Sequence, residues 1–175
     1  LYVTAYTGCG VTSSYTGSKT VKLCTTYVNP SSGTQALKVN GTAVATSAAA
    51  TATTQTLTFV NGVATITVSY PDVGQLTLNA TDTASGGPTG ASGNFVVYPD
   101  HFGLNIINSN SVPNAATNDT SGTAVASCLA DSVFTGAGQT YTVNVRPLNL
   151  QNAVTPNFGN ETAPQMITLT GPVIA

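Results

Sequence analysis

From Leu57 to Thr81 apolar side chains alternate with hydroxyl and amide ones, and that period of two suits an antiparallel sheet with one buried face. Ala64, Ile66, Val68 and Tyr70 fall on one side, and Thr65, Thr67 and Ser69 on the other. Leu76, Leu78 and Ala80 then alternate with Thr77, Asn79 and Thr81. Threonine branches at Cβ, which favours a pleated strand over a helix. Asn61-Gly62 interrupts the pattern with a dipeptide suited to a type I′ turn, since both central residues there need positive φ. Asn40-Gly41 repeats the signal between Ala36–Val39 and Thr42–Ala45. Residues 46–56, rich in Ala and Thr, read as a loop or edge strand, with a short helix as the weaker alternative. Thr83–Gly93 reads as a plain loop, followed by a strand at Asn94–Tyr98.

Pro99-Asp100 breaks that strand and marks a domain boundary. Beyond it, strands are expected at Gly103–Ile107, Ala124–Cys128, Thr140–Arg146 and Gln165–Thr170, with Tyr141, Val143 and Val145 facing inward. Residues 108–122 form a long polar loop. Short strands separated by turn residues imply an all-β chain of two tandem antiparallel β-sandwich domains, 1–98 and 99–175. The strand-like ends, Leu1–Thr7 and Thr170–Ala175, are expected of a piece cut from a larger chain.

Charge narrows the function. Charged residues make up 6% of the chain, with four Lys and Arg against six Asp and Glu, where soluble domains average about 25%. Four cations cannot build the basic patch that a phosphate backbone requires, so a nucleic-acid partner is excluded. No 18-residue apolar run exists, so no membrane-spanning helix is expected. Low charge with abundant Thr, Ser and Asn points to an extracellular location.

The cysteines support an oxidising compartment. Cys9 and Cys24 flank a 14-residue loop, and a bridge closing it would stabilise by about 3 kcal/mol. Cys128 is left over, either unpaired or linked to another chain. The alternative is three buried, reduced thiols. No CxxC or Cys/His pattern points to zinc.

Tyr70-Pro-Asp72-Val-Gly74-Gln-Leu76-Thr-Leu78 is the most informative local pattern. Asp72 is suited to cap the turn, Gly74 to permit close backbone approach, and Leu76 and Leu78 to enter the core. The segment resembles the immunoglobulin E–F corner, with Leu76 in the tyrosine position and Leu78 in the cysteine position. The likeness implies an Ig-like fold whose sheets are joined by apolar packing in place of a disulfide. Thr26–Gly33 with Val39-Asn-Gly41, Phe59–Ala64 running into Tyr70–Ala80, and Phe95–Phe102 with Cys128 and Phe134–Val145 extend the likeness. Over nearly its full length the chain resembles the MshQ-like secreted proteins of MSHA type IV pilus biogenesis. That resemblance implies tandem Ig-like domains on a bacterial cell surface, without enzymatic activity.

Chemistry-bearing residues are few. His101 is the only histidine and follows Asp100. Neighbours on an extended segment point opposite ways, so the pair reads as a linker rather than a catalytic dyad. Asp72 serves its turn, and Asp82, Asp100, Asp119, Asp131 and Glu161 read mostly as loop acids rather than paired glycosidase carboxylates. No cofactor is expected, unless calcium binds at Asp100 or Asp119 with backbone carbonyls. Lys19, Lys22, Lys38 and Arg146 give sheet edges little protection against pairing. Two readings follow: an adhesive module that binds protein partners or a surface glycan, and a fibre subunit whose copies pair along sheet edges or through Cys128.

Overall fold

The computed structural model describes residues 1–7, 10–46, 52–107, 138, 140 and 142–164. These residues contain no helix and form strands throughout: β1 (Tyr2–Thr4), β2 (Tyr6–Thr7), β3 (Gly10–Val11), β4 (Gly17–Asn29), β5 (Lys38–Val39), β6 (Thr42–Ala43) and β7 (Thr53–Phe59). They continue with β8 (Val63–Thr65), β9 (Val68–Ser69), β10 (Gly74–Asp82), β11 (Thr89–Ala91), β12 (Phe95–Val97), β13 (His101–Ile107) and β14 (Thr142–Leu148). By contacts the chain divides into two units. One holds Leu1–Tyr70, Gly74–Val96 and the described part of 157–175; the other holds Pro71–Val73 and Val97–Pro156.

The first unit is an antiparallel β-sandwich. One layer runs β11-β10-β4-β7, with β12 also on β10. The other comprises β1 on β8 and the ladder β6-β5-β9. Both supply the core: Val21, Leu23, Leu57, Phe59 and Leu78 from the first layer meet Leu37, Val39, Val44, Ala64 and Ile66 on the other side. The alternation read from the sequence is the burial pattern found, since Ala64 and Ile66 are buried and Thr65 and Thr67 exposed. Each such side chain removed from water stabilises by about 1.5–3 kcal/mol before entropy is counted.

Both Asn-Gly turns take positive φ at both residues: 48° and 80° at Asn40 and Gly41, 50° and 82° at Asn61 and Gly62. The second is closed by reciprocal hydrogen bonds between Val60 and Val63, at 2.8 and 3.0 Å. Its arms then part, because β7 joins β4 while β8 joins β1. The turn therefore carries the chain from one layer to the other.

Two expectations change. Thr89–Ala91, read as loop, is a strand paired with Asn79–Thr81 of β10. All three of its residues are exposed, so it carries no apolar periodicity to find. In the second unit β13 pairs with β14 from His101↔Leu148 to Ile107↔Thr142. Val143, expected to face inward, is 38% exposed, and the buried residue of β14 is Leu148. The expected strands at Ala124–Cys128 and Gln165–Thr170, and Tyr141, lie outside the described residues.

Candidate functional site

The corner at 70–78 is built from the groups its sequence suggests. Asp72 is 1% exposed, and its Oδ1 accepts the Val73 N–H at 2.9 Å. Gly74 has φ 140°, and a Cβ there would lie 3.1 Å from the Asn29 carbonyl oxygen, so glycine is needed twice over. The β10–β4 register shifts between Gln75 and Leu76, a bulge beside this contact. Leu76 and Leu78 are buried at 0% and 5% exposure. Tyr70 packs at the edge of the core cluster and accepts the Asn157 Nδ2–H at 3.1 Å.

Cys24 lies on the central strand β4, opposite Asn79 of β10 and bridged to Ala45 on its other side. It is 5% exposed and is a free cysteine among the described residues. Neighbouring strands enclose it on both sides. Cys9 and Cys128 lie outside the described residues.

Asp100 and His101 do meet, contrary to the alternation argument. Asp100 occupies a bend rather than a strand, so its carboxylate can turn back, and Oδ2 lies 2.8 Å from His101 Nδ1. His101 Nε2 is buried without a hydrogen-bond partner, and no nucleophile sits on it among the described residues. Of the two calcium candidates, Asp100 is therefore engaged with His101, and Asp119 lies outside the described residues. Among the described residues no three His, Cys, Asp or Glu side chains gather as metal ligands would.

The cations are placed differently from a guarded edge. Lys19 and Lys22 lie on β4, flanked by β10 and β7, and Lys38 lies on β5 between β6 and β9. The outer strands of the larger sheet, Thr53–Phe59 on one side and Thr89–Ala91 on the other, contain no charged residue.

One constellation was not visible in the sequence. Tyr15 donates its hydroxyl to Asp82 Oδ2, while Asp82 Oδ1 accepts the Ala84 N–H at 2.9 Å. Asp82 is not a loop acid but the last residue of β10, 9% exposed. The N–H of Ala84 first, then the Tyr15 hydroxyl and the Lys19 charge, hold its carboxyl below the usual range despite burial. Burial and the Asp82 contact push Tyr15 up to about 12. Lys19 Nζ sits 4.9 Å from the centre of the Tyr15 ring, and Phe59 meets the same ring edge-on at 4.8 Å. Beside the pair opens a cleft of about 380 Å³ lined by β1 and β2 and by β10 and β11. The one signal for it was parity: Asp82 continues the series Leu76, Leu78, Ala80 and so points to the buried side.

No curated protein and no solved structure matches the chain. A family model described as the first Ig-like domain of DUF6701, a domain of unknown function, matches residues 4–94. The model of the second DUF6701 domain matches residues 98–175. Two consecutive domains in family order, the first a sandwich with an Ig-like corner, place this chain in the DUF6701 family.

Proposed function

We propose that the chain is a non-enzymatic structural and adhesive module of an MshQ-like, pilus-associated protein on a bacterial cell surface. The observation that carries this reading is the pairing of two DUF6701 domains with a surface almost devoid of charge. Such a chain is suited to hold other surfaces at a distance and to contact partners through neutral polar side chains. Immunogold labelling of intact cells that express the protein tests it. Label on the cell exterior, lost on surface proteolysis, supports the reading; label confined to the cell interior rejects it.

A fibre subunit is the second reading, and the uncharged outer strands favour it. Edge strands that stay solitary usually carry lysine, proline or a bulge as protection, and β7 and β11 contain none of them. Copies of the chain would then add strands to one another along β7, with Cys128 as the expected covalent link. Electron microscopy of the purified chain, with gels run with and without reductant, separates the readings. Filaments or a reductant-sensitive ladder favour the fibre, and a single monomeric species favours the module.

A further inference from the structure

We propose that Asn40 is a modification site, converted to aspartate and isoaspartate by attack of the chain's own Gly41 nitrogen, and that the fold spares the matching pair Asn61-Gly62. The inference goes beyond the adhesive and fibre readings and depends on neither.

In sequence the two pairs are equivalent, since Asn-Gly occurs at 40–41 and again at 61–62. Glycine has no Cβ, so nothing on that residue keeps its nitrogen from the preceding carboxamide. The step needs no reactant but water. The Gly41 nitrogen gives up its proton and bonds to Asn40 Cγ, the bond from Cγ to the side-chain nitrogen breaks, and ammonia leaves a cyclic imide. Water then opens the imide at either carbonyl, giving aspartate or isoaspartate. Two conditions follow. The glycine N–H must be free of a protein acceptor, and the turn must open far enough for Cγ to reach the nitrogen.

The fold separates the pairs on both conditions. Both asparagines are exposed, so access to the side chain decides nothing. Gly62 is buried, and its N–H donates to the Tyr15 carbonyl at 2.9 Å. Its own carbonyl accepts the Ala5 N–H at 2.8 Å, and an added Cβ would lie 2.5 Å from the Thr12 carbonyl oxygen. Gly41 is exposed, and an added Cβ there meets open space. Among the described residues no backbone acceptor takes its N–H. The arms of its turn, Lys38–Val39 and Thr42–Ala43, are two residues each. Asn40 is held by Thr67, whose N–H and Oγ1 reach Asn40 Oδ1 at 2.9 and 3.3 Å. The Asn40 N–H donates back to the Thr67 carbonyl at 2.9 Å. The side-chain bonds are exposed, so water replaces them at small net cost when the turn opens.

Conversion changes the turn it occurs in. Isoaspartate adds a methylene to the main chain, which a two-residue turn of fixed geometry does not accommodate, so β5 loosens from β6 and β9. Either product adds a negative charge to a chain whose formal net charge is −2.

The test holds the purified 175-residue chain at mildly alkaline pH in water enriched in heavy oxygen, with a parallel sample in urea. Mass spectrometry of chymotryptic peptides reads each site, and the oxygen label marks conversion that took place during the incubation. In the native chain Asn40 should convert at least about tenfold faster than Asn61, the factor that one backbone hydrogen bond makes near its upper net value. In urea, with both turns melted, the two rates should become alike. Gly41→Ala, at a position with room for the methyl group, should slow conversion at Asn40 and leave Asn61 as it was. Equal native rates, faster conversion at Asn61, a product at position 40 without isoaspartate, or a difference that persists in urea would overturn the proposal.

Discussion

Tyr15 and Asp82, 67 residues apart in sequence, are joined by a hydrogen bond from the phenol to the carboxylate. Asp82 ends β10, and Tyr15 stands two residues before β4, its antiparallel neighbour. Gly87 packs against the same carboxylate so closely that an added Cβ would lie 2.7 Å from the Asp82 Cβ. The bond thus fastens the entry to β4 to the exit from β10, where the cleft opens.

Tyr15→Phe keeps the ring against Phe59 and removes only the donor. It should destabilise the first unit by about 1.5–3 kcal/mol, the usual worth of a hydrogen bond to a charged group. Urea unfolding followed by tyrosine fluorescence measures this, and an unchanged midpoint would show that the bond is made equally well to water.

The same pair sets the pH range. Asp82 is held below its ordinary value of 3.8 in the folded chain, so its contribution is complete above that value and is lost as pH falls through the lower folded one. Tyr15 is raised from 10.0 to about 12, so its contribution is complete below pH 10 and is lost as pH rises through 12. Stability measured across pH should fall at both ends. Asp82→Asn should flatten the acid limb, and Tyr15→Phe should flatten the alkaline one.

The two Asn-Gly turns should respond unequally to alanine. Gly41 and Gly62 share nearly the same φ, but a Cβ at Gly41 meets open space while one at Gly62 would lie 2.5 Å from the Thr12 carbonyl oxygen. Gly41→Ala bears the cost of positive φ alone, on the order of 1 kcal/mol. Gly62→Ala adds a backbone clash and should cost about 3 kcal/mol or more. Equal midpoints for the two variants in thermal unfolding would contradict this packing.

Leu76→Ala, at 0% exposure, should cost about 2–5 kcal/mol. Denaturant titration checks it. A loss near zero would mean that the corner collapses onto the space the leucine leaves.

Cys24, 5% exposed with a free thiol, should resist alkylation in the native chain and react at once in denaturant. Mass spectrometry after timed iodoacetamide treatment reads the difference. Rapid native labelling at Cys24 would place the thiol on an exposed surface.

Much of the first unit was legible residue by residue. Alternation at 64–70 and 76–80 assigned faces correctly, and two Asn-Gly pairs located their turns, because strand pleat and positive φ are local properties of side chain and backbone. Asp72, Gly74, Leu76 and Leu78 could likewise be given structural roles before any fold was known. Thr89–Ala91 escaped because a short, exposed edge strand buries nothing and leaves no pattern. The Asp100–His101 contact escaped because one bend overrides the parity rule.

Sequence alone therefore determined an all-β, nearly uncharged chain, the facing of its main strands and the chemistry of its turns. Tertiary structure decided which strands became neighbours, that the Asn61-Gly62 turn crosses between layers, and that Lys19 and Lys22 lie on a central strand. It also brought Tyr15, Asp82 and the cleft together. The reason is physical: local pattern states which face of a strand is buried, whereas strand order and register follow from how the whole set of apolar faces packs at once.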